Sequence, residues 1–176
     1  MEKRGYFILV ILFLAIPLFS IRAEAVSFTQ LWNATTENST ATLWTAVAVD
    51  SNDNILVAGD MRVYTPGKET WAVLAKYNST GTFLWNLSLG NNTKFLGVST
   101  DLSNNIYVAG YGQRLVSASS GYDWWLKKFN SSGTEDMTWN KSFNGPNSVD
   151  SAYSVALDSN NNVYVTGFGQ NLVSGT

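Results

Sequence analysis

The sequence predicts an all-β chain assembled from repeated four-stranded units, and three observations predict it. The first is composition: charged residues make up only 14% of the 176 residues, aromatics another 14% with seven Trp, and 14 Gly are present. A disordered chain lacks that apolar and aromatic content, and a long-helix protein needs far more Glu, Lys, Leu and Ala. The second is internal repetition. Ala46 to Gly59 reads AVAVDSNDNILVAG, Gly97 to Gly110 reads GVSTDLSNNIYVAG, and Ser154 to Gly167 reads SVALDSNNNVYVTG. The third is punctuation, because short β-branched and aromatic runs alternate with Asn, Asp, Ser and Gly clusters that favour turns.

The repeat has further parts, always in the same order. Leu74 to Gly81 (LAKYNSTG) matches Leu126 to Gly133 (LKKFNSSG), and a Trp-Asn element recurs at Trp32, Trp85 and Trp139. Asp50 and Asp101 lie 51 positions apart, Asp101 and Asp158 57, and the three Trp 53 and 54. Each unit reads as four strands. Strand one covers Thr45 to Asp50, Leu96 to Asp101 and Tyr153 to Asp158, rich in Val and small residues as suits burial on both faces. Strand two covers Ile55 to Asp60, Ile106 to Tyr111 and Val163 to Phe168. An Asx-rich cluster that tolerates left-handed backbone closes the hairpin between them. Strand three is Trp71 to Tyr77 and Trp124 to Phe129, and strand four is Phe83 to Leu89 and Met137 to Phe143, joined through Asn-Ser-(Thr/Ser)-Gly turns. Lys127 and Lys128 read as an edge charge pair that discourages strand addition.

Four strands per roughly 50 residues is the arithmetic of a β-propeller blade. The order small-Val-Ala-Val-Asp-Ser-x-x-Asn-(Ile/Val)-(Tyr/Leu)-Val-x-Gly, Lys-(Tyr/Phe)-Asn-x-x-Gly and a Trp strand resembles the SBBP repeats of exported bacterial and archaeal propeller proteins. The resemblance spans residues 27–176. It implies the propeller fold, export and a surface location, and it carries no shared catalytic set. The expected architecture is about two and a half blades in an incomplete ring: a partial blade at 26–44, blades at 45–94 and 95–147, and a truncated blade at 148–176. Since propellers close with about 4 to 8 blades, the expected partners are the remaining blades of a longer chain or other copies of this one. A fragment of a longer protein is the favoured explanation.

Residues 1–25 read as a secretory signal peptide. Lys3 and Arg4 form a positive n-region, Tyr6 to Phe19 is an almost unbroken apolar run, and Ala23-Glu24-Ala25 offers a small-x-small cleavage site after Ala25. A membrane anchor needs about 20 apolar residues, and Pro17 and Arg22 interrupt this run. No span is expected after cleavage. The chain's net charge of −2 gives no footprint for nucleic acid. With neither Cys nor His, disulfides, thiol nucleophiles, imidazole bases and nearly every zinc site drop out.

The remaining chemistry is sparse. The Asp50, Asp101 and Asp158 loops are oxygen-rich in the manner of calcium sites, but they lack an EF-hand's Gly and distal Glu, and turn chemistry is the better account. Thr80 to Trp85 resembles the Thr-Gly-x-x-x-Trp stretch of quinoprotein propellers, but only this copy fits. No cofactor is expected, and Trp32, Trp85 and Trp139 keep only the blade-packing meaning. Asn33, Asn38, Asn78, Asn86, Asn91, Asn130 and Asn140 open Asn-x-Ser/Thr sequons, a glycoprotein signature that duplication of turn composition explains equally well. Trp124 and Trp125, and less strongly Trp44 and Trp71, are candidates for stacking on a ligand, although aromatics at such spacing more often fill the space between blades. Asp60, Asp123, Asp136 and Asp150 are the carboxylates from which a dyad would have to come, and none recurs at a repeat-equivalent position.

The resulting expectation is an exported, non-enzymatic propeller segment, secreted or at the cell surface, acting as a scaffold or adhesion-type module for a glycan or surface-protein ligand. The alternative is part of a propeller enzyme acting on glycans, with its catalytic residues in other blades.

Overall fold

The computed structural model describes residues 40–63, 69–90, 92–113, 115, 121–143 and 149–169, all within one compact unit, 34–176. The leader, Trp32, Asn33, Asn38 and Asn91 lie outside the described residues. Among the described residues ten strands form three antiparallel sheets. Blade one is the meander β1 (Thr40–Val49), β2 (Ile55–Val63), β3 (Glu69–Tyr77) and β4 (Phe83–Leu89). Blade two repeats it with β5 (Thr93–Thr100), β6 (Ile106–Gln113), β7 (Tyr122–Phe129) and β8 (Lys141–Phe143). In blade three, β9 (Ser151–Leu157) pairs with β10 (Val163–Phe168). This is the partial propeller expected from the repeats, and its sheets do not close into a ring.

The first strand of each blade begins earlier than its sequence pattern suggests. β1 starts at Thr40 and β5 at Thr93, ahead of the boundaries drawn at 44/45 and 94/95. A bulge is the cause. Pairing skips Thr45 in β1, Leu96 in β5 and Tyr153 in β9, so the two-residue alternation breaks at the same repeat position three times. Opposite each bulge stands a glycine. A Cβ on Gly59, Gly110 or Gly167 would overlap the carbonyl oxygen of Leu43, Lys94 or Ser151 respectively, so the last glycine of the repeat is a steric necessity.

The strand-one hairpins are closed by the repeated aspartate. Asp50 Oδ1 accepts the main-chain N–H of Asn52 and of Asn54, both at 2.9 Å, and Asp101 and Asp158 hold their turns in the same way. The residue before the last turn position is left-handed in all three copies: Asp53, Asn104 and Asn161, with φ near 60°. The amide of Asn54, Asn105 or Asn162 reaches the second carboxylate oxygen. That oxygen also takes Lys76 Nζ at 2.8 Å in blade one and the Tyr107 or Tyr164 hydroxyl in the others. The β3–β4 and β7–β8 turns are closed likewise by Asn78 and Asn130, each accepting two backbone N–H groups.

Strand four of blade two departs from expectation. Met137 to Asn140 is turn, because Asp136 accepts the N–H and hydroxyl of Thr138 and its carbonyl accepts the N–H of Trp139. The strand is left with Lys141–Phe143. Lys127 and Lys128 are no edge pair, since β7 lies between β6 and β8. Lys127 is buried, ion-paired with Glu135 and set over the Trp125 ring, while Lys128 lies over Tyr107.

Blades pack face to face. Leu56, Ala58, Ala72 and Leu74 of blade one meet Phe95 and Val98 of blade two, and Tyr107, Ala109 and Leu126 meet Ala152 and Val155 of blade three. Polar ties stitch the same seams. Thr45 donates to Phe95 O at 2.7 Å, Ser51 N–H and hydroxyl donate to Asn104 Oδ1, and Lys76 Nζ donates to Ser131 O.

Two outcomes test this construction. Gly110→Ala should destabilise the chain by about 3 kcal/mol in urea denaturation, because the new methyl meets backbone and not a yielding side chain; an unchanged midpoint would show that the strand is free to shift. Asp50, Asp101 and Asp158 are all held below the ordinary value of 3.8. For Asp50 and Asp101 burial by itself pushes the pKa up, and the bonds from Lys76 and Asn54, or from Asn105, outweigh it; for Asp158 the Asn162 side chain is the main cause. The folded state therefore prefers the ionised carboxylates. Their stabilisation is complete above the ordinary carboxylate range and is lost as pH falls below about 4, which denaturation midpoints taken from pH 7 to pH 2 will register. Asp50→Asn strands the buried Lys76 ammonium and should cost about 3 kcal/mol at pH 7, whereas Asp158→Asn, at a partly exposed site where the Tyr164 hydroxyl and not a lysine meets the carboxylate, should cost much less.

Candidate functional site

Each blade has two ends. At one lie the Asx hairpins and the Asn78 and Asn130 turns, whose polar groups are consumed in closing the chain. The other, the linker end, gathers the close of β2 and β6, the start of β3 and β7, and the entries to β5 and β9. A cleft of about 420 Å³ opens there, lined by Leu96, Tyr111, Tyr122, Val149, Ser151 and Tyr153. A smaller recess of about 40 Å³ adjoins it, adding Thr70, Asn92 and Lys94 to the same Tyr111 and Tyr122.

The backbone positions these groups closely. Tyr122 pairs with Gln113 across β6–β7 and forms a parallel bridge to Val149, while Asp150 N–H donates to Tyr122 O at 2.7 Å. The third blade is thereby tied to strand three of the second. Tyr111 and Tyr122 meet edge to face, with centroids 5.2 Å apart and planes at 83°, the arrangement favoured by aromatic quadrupoles. Tyr153 is the bulge residue of β9 and more than half exposed. Thr93 anchors the neighbouring linker by donating to Leu89 O and accepting from Ala72 N–H.

Under the recess sits Asp60, fully buried, with Lys94 Nζ at 3.3 Å and the exposed Arg62 Nε at 3.6 Å. Among the described residues neither carboxylate oxygen has a hydrogen-bond partner, and the two ion pairs offset part of its desolvation. Burial pushes the Tyr111 hydroxyl pKa above 10.0, and nearby Tyr122 and Asp60 push the same way. Tyr111 therefore stays a protonated donor at neutral pH.

The carboxylates named from the sequence do not assemble as a set of four. Asp60, Asp123 and Asp150 are buried toward the linker end, where Asp123 Oδ2 accepts Leu115 N–H at 2.6 Å. Asp136 closes its turn at the opposite end.

The tryptophans are also redistributed. Trp125 is 5% exposed and stacked on Phe95 at 5.5 Å. It fills the seam between blades one and two, and its face cannot serve as a platform for a ligand. Trp124 packs toward blade three and donates to Phe168 O at 2.7 Å. Trp85 packs against the first interblade core, with Gly133 of the next blade close under its ring, and Trp139 meets Tyr107 edge to face at 5.1 Å. Trp71 donates to Glu69, and Trp44 is exposed on β1. Among the sequon residues, Asn86, Asn130 and Asn140 are exposed and Asn78 is partly so.

The cleft's tyrosines were not singled out by sequence reasoning, although a signal existed. Each breaks the repeat where it stands. Tyr111 replaces Asp60 and Phe168, Tyr122 replaces Thr70, and Tyr153 replaces Thr45 and Leu96. Framework positions repeat because the blade needs them, and this departure marks surface that the blade does not need.

No curated protein matches the chain. Residues 139–169, from Trp139 through β9, the Asp158 hairpin and β10, match the family model SBBP, a beta-propeller repeat. Family model and sheet topology agree, and the chain is an all-β partial propeller that carries an SBBP beta-propeller repeat at residues 139–169.

Proposed function

We propose that this chain is an exported, non-enzymatic propeller module, secreted or held at the cell surface, which binds a glycan at the linker-end cleft. One observation carries the reading: the repeated Asp, Gly, Asn and Trp residues serve the blades, and the tyrosines that break the repeat converge on one cleft. Flat aromatic faces flanked by Ser151, Thr70 and Asn92 suit a ligand that is apolar on its ring faces and hydroxylated at its edges. The cations beside the recess are balanced in part by buried Asp60, which favours an uncharged or weakly acidic sugar over a polyanion. A surface protein bearing such glycans would be recognised through the same groups.

The other reading, a glycan-cleaving propeller with its catalytic groups in further blades, draws support from the buried Asp60 and its lack of hydrogen bonds. Both cationic neighbours, Lys94 and Arg62, already pair with that carboxylate.

Export is expected to leave a mature chain starting at Val26, and N-terminal sequencing of protein recovered from the cell surface or medium checks it. Titration of the chain against an immobilised glycan panel should find saturable binding without hydrolysis. Tyr122→Ala and Tyr153→Ala, both at accessible positions, should each weaken binding by about tenfold, equivalent to roughly 1.4 kcal/mol of lost contact. Hydrolysis that Asp60→Asn abolishes would overturn the non-enzymatic assignment, and unchanged affinity in both Tyr variants would move the site elsewhere.

A further inference from the structure

The recess beside the cleft differs from it in size and in charge, and each difference restricts what enters. At about 40 Å³ the recess has room for about three waters, enough for a carboxylate and too little for a pyranose ring. The cleft of about 420 Å³ takes the ring. Tyr111 and Tyr122 line both spaces, so a ring lying in the cleft projects one substituent past them into the recess.

The groups around the recess are rich in donors. Lys94 and Tyr111 stand opposite each other across β5–β6, and directly opposed residues share a face of their sheet. Lys94 Nζ lies 3.3 Å from Asp60, its one partner among the described residues, and the lysine side chain keeps 19% of its surface exposed. An ammonium carries three N–H donors, so this contact does not exhaust it. Two cations, Lys94 and Arg62, meet the single carboxylate of Asp60, which leaves one positive charge in excess. Asp123 and Asp150, the other buried carboxylates of this end, line neither space. Burial keeps the Tyr111 hydroxyl protonated, an O–H donor beside that charge.

We infer that the sugar seated in the cleft is a uronic acid, whose carboxylate enters the recess and accepts from Lys94 Nζ and the Tyr111 hydroxyl. The inference rests on the glycan reading above and selects the acidic of the two sugar classes that reading allows. A carboxylate's single negative charge matches the single excess positive charge, whereas a sulfate ester is too bulky for the recess. Hydrogen bonds from an ammonium to a carboxylate are about twice as strong as neutral ones, so the acid gains over the hydroxymethyl group of the corresponding neutral sugar.

The test is calorimetric titration of the full chain with oligosaccharides ending in glucuronic, galacturonic or mannuronic acid, each beside its carboxyl-reduced and its 6-O-sulfated counterpart. For the terminal sugar that fits, the acid should bind about tenfold more tightly than either counterpart, and added salt should erode that ratio. Tyr111→Phe, which deletes one hydroxyl, and Lys94→Gln should each reduce the ratio, with circular dichroism verifying the β fold. Lys94→Gln leaves buried Asp60 with Arg62 alone, so Tyr111→Phe and the salt series decide the matter if that variant does not fold. Equal affinity for acid and reduced sugar, a sulfated form that binds as tightly as the acid, or a preference that neither salt nor Tyr111→Phe reduces would overturn the inference and leave the glycan reading standing. Binding of none of these sugars would overturn both.

Discussion

The bulge in the first strand of each blade governs how the whole assembly packs. In an unbroken strand, residues three apart point to opposite faces. Skipping Leu96 brings Phe95 and Val98 onto the same face of β5, where both meet blade one, and skipping Tyr153 does the same for Ala152 and Val155 in β9. Without the extra residue, one of each pair would turn into its own blade's other seam. The bulge in turn pushes a carbonyl toward the facing strand, and only glycine leaves space for it. One backbone irregularity thus links the glycine that ends the repeat motif to the apolar pairs that join the blades.

Given that frame, a division of labour follows from geometry. At the turn end the carboxylates of Asp50, Asp101 and Asp158 accept backbone N–H groups and the side-chain amides of Asn54, Asn105 and Asn162, and the repeated residues are used in closing the turn. Among the described residues the linker end carries no such repeated closure. Its side chains are free to differ between blades without loss of the sheet, and Tyr111, Tyr122 and Tyr153 are such differences. A scaffold whose stability resides in one end of its blades can vary the other.

Much of this was legible in the sequence, and the parts that were not have physical causes. Strand two of blade three and strand four of blade one were read with correct bounds, as were the Asx hairpins, because local turn chemistry determines them. The opening residues of β1 and β5 were missed because the bulge interrupts the alternation by which strands are recognised. Met137 to Asn140 was read as strand on the strength of alignment with Phe83 to Leu87, yet the inserted Glu135-Asp136 pair supplied a competing turn. Lys127 and Lys128 were read as an edge pair because composition alone does not reveal that a further strand pairs with theirs. The cleft was the least legible feature, since it is made from residues of two blades that no motif connects.

The satisfaction of the repeated aspartate shows how the copies diverge without losing function in the fold. In blades two and three the second carboxylate oxygen is met by a tyrosine hydroxyl, Tyr107 or Tyr164. Blade one has Leu56 at that position, and there Lys76 from β3 reaches the carboxylate and continues to the carbonyl of Ser131 in the next blade. In blade two the equivalent Lys128, displaced by the tyrosine, lies over its ring and approaches Asp136. Losing a hydroxyl at one site is thus offset by redirecting a lysine from another, and the redirection converts a bond within a blade into a tie between blades. A buried carboxylate demands a donor but does not dictate which one, and that latitude lets neighbouring copies of one repeat acquire different seams.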